Sequence, residues 1–156
     1  MITAAMRADV LQIHTINANT TIFSQEEVET VDEMLEDYLA QGAEKSGYYF
    51  LVFKEGDRVQ GYACYGPRAL TDRTYDLYWI AVDPDSRGGG IGKKLLAASE
   101  NKVRLLGGRL LIVETSGLPK YESTRAFYFA TQYLQEATLK DFYSDGDDLV
   151  IFTKRL

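Results

Sequence analysis

The chain has 156 residues, 46% of them hydrophobic and 26% charged, with a formal net charge of −6. That length fits a single domain able to bury roughly two-thirds of the surface its unfolded form exposes, and no apolar run reaches the roughly 18 residues of a membrane span. The acidic balance argues against a nucleic-acid partner, which clustered Lys and Arg would serve, and one Cys with one His excludes an internal disulfide and a zinc site of the usual kind. No metal and no membrane partner are expected. The N-terminal stretch MITAAMRADVLQIHTINANT lacks the basic start and apolar core of a signal peptide, so a cytoplasmic location is expected.

The first helical stretch contains His14, read as structural or partly exposed. SQEE at 24–27 is a capping box: Ser24 accepts from the Glu27 backbone N–H while the Glu27 side chain reaches back. Val28, Val31, Leu35, Tyr38 and Leu39 then recur at helical spacing up to Gly42, predicting a helix over 25–41. It carries seven acids and no Lys or Arg, a solvated face that would favour a cationic amine if it lines an acceptor entrance. YYFLVF (48–53), the turn EGDR and VQGYACY (59–65) predict a hairpin, with Cys64 a small core residue. The next strand, 75–82, is apolar on both alternating faces, the pattern of a central strand covered on both sides.

Behind the glycines that follow, Ile91, Leu95, Leu96 and Val103 lie on one helical face that stops near Gly107. RLLIVET (109–115) reads as a strand, and a helix opens near Glu122 with Phe127 and Tyr128 at its centre. TLKDFY, the turn SDGDD and LVIFTKRL close the chain as a hairpin. An EF-hand count on that turn fails, because Tyr143 and Phe152 fall where acids are needed, so it reads as an acidic hairpin turn. The order of elements predicts an α/β fold with a mixed sheet and helices on both faces. Aromatic strands near the C-terminus admit a homodimer.

The segment LYWIAVDPDSRGGGIGKK (77–94) raises the question of which phosphate its glycines serve. A P-loop count puts Arg87 at the first position and Lys94 where Ser or Thr belongs, and a dinucleotide count puts Lys93 where the third Gly belongs. R-x-x-G-x-G fits, with Arg87, Gly90 and Gly92 directly ahead of a helix. Gly88, Gly89, Gly90 and Gly92 let the backbone approach a ligand, the helix N-terminus adds its dipole, and Arg87, Lys93 and Lys94 add charge; a pyrophosphate suits this geometry.

On these residues the chain resembles the GNAT superfamily of acyl-coenzyme A dependent N-acyltransferases. LYWIAVDPDSRGGGIGKKLL is similar to that family's central motif, and LLIVETS with YESTRAFYFATQY resembles its second. The resemblance implies a splayed sheet, with the strand at 77–82 parting from the strand at 109–115 and the backbone of Ile80, Ala81 and Val82 free to bind the pantetheine arm of acetyl-CoA. It implies Tyr128 as hydrogen-bond donor to the departing thiolate; the alternative is a core tyrosine with Phe127 and Phe129 as packing partners. Asp76 at the mouth of the central strand and Glu114 on its neighbour are the candidate bases, Glu114 preferred as closer to the cleft. Where the family commonly places Asn, this chain has Tyr121, and where it often has Gly-Phe, Gln132 and Tyr133; Ser123 or Thr124 would take over the missing Asn contact. The expectation is therefore acetyl transfer from acetyl-CoA to an amine acceptor in a ternary complex. A non-catalytic acyl-CoA sensor is the alternative, and the failed counts disfavour a nucleotide-phosphate binder.

Overall fold

The computed structural model describes residues 1–156. Strands β1 (Ile2–Ala4), β2 (Tyr49–Glu55), β3 (Arg58–Pro67), β4 (Thr74–Val82), β5 (Leu110–Ser116), β6 (Leu134–Ser144) and β7 (Asp147–Arg155) form one sheet in the order β1-β2-β3-β4-β5-β7-β6. Helices α1 (Val10–Asn19), α2 (Gln25–Gln41), α3 (Ala43–Ser46), α4 (Ile91–Leu105) and α5 (Glu122–Ala130) flank it. Every neighbouring pair is antiparallel except β4 and β5, which run parallel. A parallel pair needs a crossover, and α4 supplies it. The mixed sheet with helices on both faces is as expected.

Helix α2 has the expected bounds because its ends are specified locally. Ser24 Oγ accepts from the Glu27 N–H at 3.2 Å, the Glu27 carboxylate accepts from the Ser24 N–H at 2.7 Å, and Gly42 closes the helix at φ +82°. Its apolar face packs with that of α1 on one side of the sheet, where Ile13, Ile16, Val31 and Leu35 meet Phe50, Val52, Tyr62 and Cys64. The opposite core joins Leu95, Leu96 and Val103 of α4 and Tyr128 of α5 to Leu77, Leu111, Val113 and Phe152. Each fully buried Leu, Val or Phe contributes roughly 1.5–3 kcal/mol. His14 is half-exposed and its Nδ1 lies 2.7 Å from an Asp32 oxygen, which ties α1 to α2. No helix is long and apolar enough to cross a membrane.

Two features of β4 position the site. Its register with β5 covers only Thr74–Leu77 against Leu110–Val113, after which the strands part. On its other side the pairing steps from Cys64↔Trp79 to Tyr65↔Leu77, leaving Tyr78 as an extra residue. Such a bulge bends the strand and increases its twist, which accompanies the departure of β4 from β5. The splay expected from the resemblance is therefore present in the register itself.

The C-terminal hairpin is longer than the sequence indicates. β6 begins at Leu134 and is exposed along its whole length; with neither face packed on a core it has no period-2 alternation to read. Asp141 accepts from the Gly146 N–H at 2.7 Å, so the acidic turn closes on its own backbone.

Candidate functional site

The parting of β4 and β5 opens a cleft of about 690 Å³. Leu77 and Ile80 of β4, Val113 of β5 and Tyr128 of α5 form its apolar end; Glu26, Glu27, Tyr121, Tyr143 and Asp147 contribute to its polar lining, with Phe23 beside them. Tyr128 is 3% exposed. Phe127, Tyr133 and Phe152 hold its ring, with centroids 5.3, 5.5 and 5.5 Å away. Phe129 is not among these partners: it is 54% exposed and packs edge-on against Phe152. Burial pushes the Tyr128 phenol above its ordinary pKa, so it stands as a neutral O–H donor at the cleft.

The two carboxylates proposed as bases share one cation. Arg68 donates from Nε to both oxygens of Asp76 at 3.0 and 2.9 Å, from Nη2 to Asp76 Oδ1 at 2.7 Å, and from Nη2 to Glu114 Oε1 at 3.0 Å. These hydrogen bonds, those to Asp76 foremost, hold the guanidinium above its ordinary pKa. Asp76 is buried opposite Ile112 within the short parallel stretch, not at a solvated strand mouth. Both its oxygens are engaged, whereas only Oε1 of the more exposed Glu114 is used. Arg68 was invisible in the sequence. It lies in the loop GPRALTDRT, and only the fold brings it to a residue 46 positions away.

A second recess, of about 330 Å³, lies beside the glycine loop and is lined by Val82, Ser86, Arg87, Gly88, Gly90, Gly92, Lys93, Phe127 and Thr131, among others. Gly88 and Gly90 sit at φ +88° and +72°, left-handed conformations costly for other residues. Gly90 is the N-cap of α4 and provides no side-chain partner for the first-turn N–H groups, leaving them for an anion. A Cβ at Gly92 would stand in van der Waals contact, 3.7 Å from the Phe127 ring and from Val82, two residues that line the recess. Gly89 shapes the loop without lining the recess, and Lys94 turns away to lie over the Phe53 ring at 5.5 Å.

Between the two recesses runs the free edge of β4. Asp83 N–H donates to Gln60 C=O at 2.8 Å; by the alternation of an antiparallel ladder, Ala81 also faces β3, while Ile80 and Val82 turn their N–H and C=O groups to the open side. Ile80 lines the cleft and Val82 the glycine recess, and the Ala81 side chain is buried in the α1–α2 core. Of the three residues named for backbone docking, Ala81 therefore packs its side chain in the core and turns its backbone towards β3. Ser123 is exposed and lines neither recess, whereas Thr124 lines the cleft. Tyr121 donates to the Ile22 carbonyl at 3.2 Å, fastening the start of α5 to the segment before α2.

The polar end of the cleft is the part least legible in the sequence. Glu26, Glu27 and Thr30 bring the acidic α2 to the cleft, so part of the face read from composition as solvated lines it. Phe23 and Trp79, packed edge-on at 5.5 Å, and Tyr143 and Asp147 of the last hairpin carry no motif that distinguishes them from core or turn residues.

The family model "Acetyltransferase (GNAT) family" matches residues 12–128. Among solved structures, a protein of Desulfovibrio desulfuricans described as a GNAT-family acetyltransferase is 42% identical, with 99% of this chain and 98% of that one covered and a TM-score of 0.96. Ribosomal-protein-alanine N-acetyltransferase of Brucella melitensis is 26% identical over 100% and 99% of the two chains, with a TM-score of 0.79. The fold is also that of yncA of Salmonella typhimurium, solved with acetyl-CoA, at 21% identity over 100% and 93% and a TM-score of 0.78. No curated protein sequence matches the chain.

Proposed function

Because the chain belongs to the acetyltransferase (GNAT) family, we propose that it transfers an acetyl group from acetyl-CoA to a primary amine, with both substrates bound together. The observation that carries this reading is the free edge of β4, which leads from the glycine recess at Val82 to the apolar end of the cleft at Ile80 and Tyr128. Acetyl-CoA supplies an activated thioester; the remaining work falls to this chain. Arg87, Lys93 and the open N-terminus of α4 suit the pyrophosphate. The backbone of Ile80 and Val82 suits the amides of the pantetheine arm, which would satisfy polar groups the sheet leaves unpaired.

Tyr128 donates a hydrogen bond to the departing sulfur. With its pKa raised above the ordinary 10 and a thiol near 8.5, the phenol stays protonated and stabilises the thiolate without surrendering its proton. An alkyl amine with a pKa of about 10.4 costs roughly 4–5 kcal/mol to hold neutral at pH 7. Glu114 is the better base of the two carboxylates, because its Oε2 has no protein partner while Arg68 occupies both oxygens of Asp76.

The test is thiol release from acetyl-CoA across a panel of amines, with the acetylated product identified by mass. Glu114→Gln should lower kcat/KM by about 100-fold or more with acetyl-CoA binding retained; an unchanged value and pH profile would remove Glu114 as base. Tight acetyl-CoA binding with no amine acetylated would instead make the chain a non-catalytic acyl-CoA sensor.

A further inference from the structure

The cleft carries more negative charge than acetyl transfer requires. Five carboxylates line it, Glu26, Glu27, Asp76, Glu114 and Asp147, against Arg68 and Lys120. Arg68 is committed to Asp76 and Glu114, and Lys120 lies over the Tyr121 ring at 5.4 Å. Glu26, Glu27 and Asp147 take part in no ion pair. Two of them are held in place by neutral donors: Glu27 by the Ser24 N–H and Asp147 by the Ser116 hydroxyl. Tyr121 and Tyr143 share their surroundings. Burial raises both phenols, Tyr121 to about 12; the charges of Glu27 and Asp147 add to the effect at Tyr121, and those of Glu114, Asp147 and Glu27 at Tyr143.

The other end of the same cleft is apolar, lined by Leu77, Ile80 and Val113, with the buried Tyr128 bringing a hydroxyl that has no protein partner. These two environments oppose each other for a single amine. Unpaired carboxylates stabilise an ammonium and hold its pKa up, whereas apolar surroundings favour the neutral nucleophile. A cleft with both suits an acceptor whose two nitrogens have separate tasks.

Resting on the amine acetyltransferase reading above, we propose that the acceptor is a small aliphatic diamine or polyamine. One nitrogen reacts at the apolar end beside Tyr128, and another remains an ammonium among Glu27, Asp147, Tyr121 and Tyr143. The carboxylates present their charge to that cation, and Tyr121 and Tyr143 line the space beside them. A C–N amide bond forms on the reacting nitrogen as the C–S bond of the thioester breaks; the nitrogen gives up one proton, the sulfur takes up one, and the distal ammonium is unchanged. The carboxylates therefore contribute to acceptor recognition without raising the pKa of the atom that reacts.

The experiment compares kcat/KM for 1-aminobutane and 1,4-diaminobutane at saturating acetyl-CoA in the wild type, in the double variant Glu27→Gln with Asp147→Asn, and in Glu29→Gln on the exposed face of α2. Gln preserves the capping box and Asn still accepts from Ser116, so the fold is retained. The wild type should prefer the diamine by tenfold or more. The double variant should lose most of that preference and Glu29→Gln none of it, and added salt should shrink it in the wild type by raising the diamine KM. Equal use of the two amines, a preference that survives both the double variant and salt, or a peptide N-terminus outperforming every diamine would overturn the proposal while leaving amine acetylation standing. No thiol release with any amine or peptide, although calorimetry shows acetyl-CoA bound, would overturn the transferase reading and this one with it.

Discussion

Tyr128 combines two properties that a packing tyrosine rarely shows together. Three aromatic rings fix its position, yet its hydroxyl makes no protein hydrogen bond at the edge of the cleft, whereas buried polar groups are ordinarily paired. Tyr128→Phe should therefore cost little or no stability, because no protein hydrogen bond is lost, and should lower kcat roughly 10- to 100-fold. Calorimetry should show acetyl-CoA affinity within about twofold of the wild type; an unchanged kcat would return Tyr128 to the core. Its raised pKa fixes the direction of the pH effects. The donor form is complete below the ordinary phenol value of about 10 and is lost only above the raised one, so Tyr128 puts no descending limb on kcat near pH 10. For the same reason its contribution to folding is full below about 10 and falls as pH rises beyond that value, where the unfolded chain ionises first. Tyr128 was legible because YESTRAFYFATQY is a local pattern. Arg68 was not, because its importance arises only when the loop after β3 crosses the ends of β4 and β5 and meets Asp76 and Glu114 together.

Elements whose limits are set by neighbouring residues were the readable ones. The capping box and Gly42 fixed α2, and the glycines before Ile91 fixed the start of α4. The bulge at Tyr78, by contrast, is a property of two strands in register and has no signature in either alone. The same distinction separates Ala81 from Ile80 and Val82: three consecutive apolar residues read alike, and only the ladder with β3 shows which backbone groups remain free. The loop from Arg87 to Gly92 and the N-terminus of α4 line one recess, at which Arg87 is exposed and without an ion pair, and on the reading proposed above they meet the pyrophosphate together. Arg87→Ala should weaken acetyl-CoA binding by about tenfold or more, the worth of one charge-assisted hydrogen bond. The KM for the amine should stay within about twofold, since Arg87 lines the glycine recess and not the cleft between β4 and β5. Loss of amine affinity with coenzyme affinity intact would contradict this division between the two recesses.

At the scale of the molecule, the order of elements made the mixed sheet readable but left open that β7, the last strand, inserts between β5 and β6. The consequence is a sheet in two halves, β1–β4 and β5–β7, joined along the strands only through Thr74–Leu77 and Leu110–Val113. Arg68 ties the halves where they part, and the core beneath α4 and α5 spans both, while the core beneath α1 and α2 is confined to the first half and the helices above it. A ligand lying in the V touches both halves in the folded state and has no equivalent site in the unfolded chain, so its binding energy adds to folding stability. At about 100 times its Kd, acetyl-CoA should contribute about 2.7 kcal/mol. For a chain of this length that raises Tm by roughly 5–10 °C in a thermal unfolding scan. ATP shares charged phosphates with coenzyme A but lacks a pantetheine arm, which we propose follows the β4 edge, so at the same concentration it should shift Tm by much less. An equal shift with ATP would mean that the phosphates alone account for binding, and would reassign the glycine loop to nucleotide recognition.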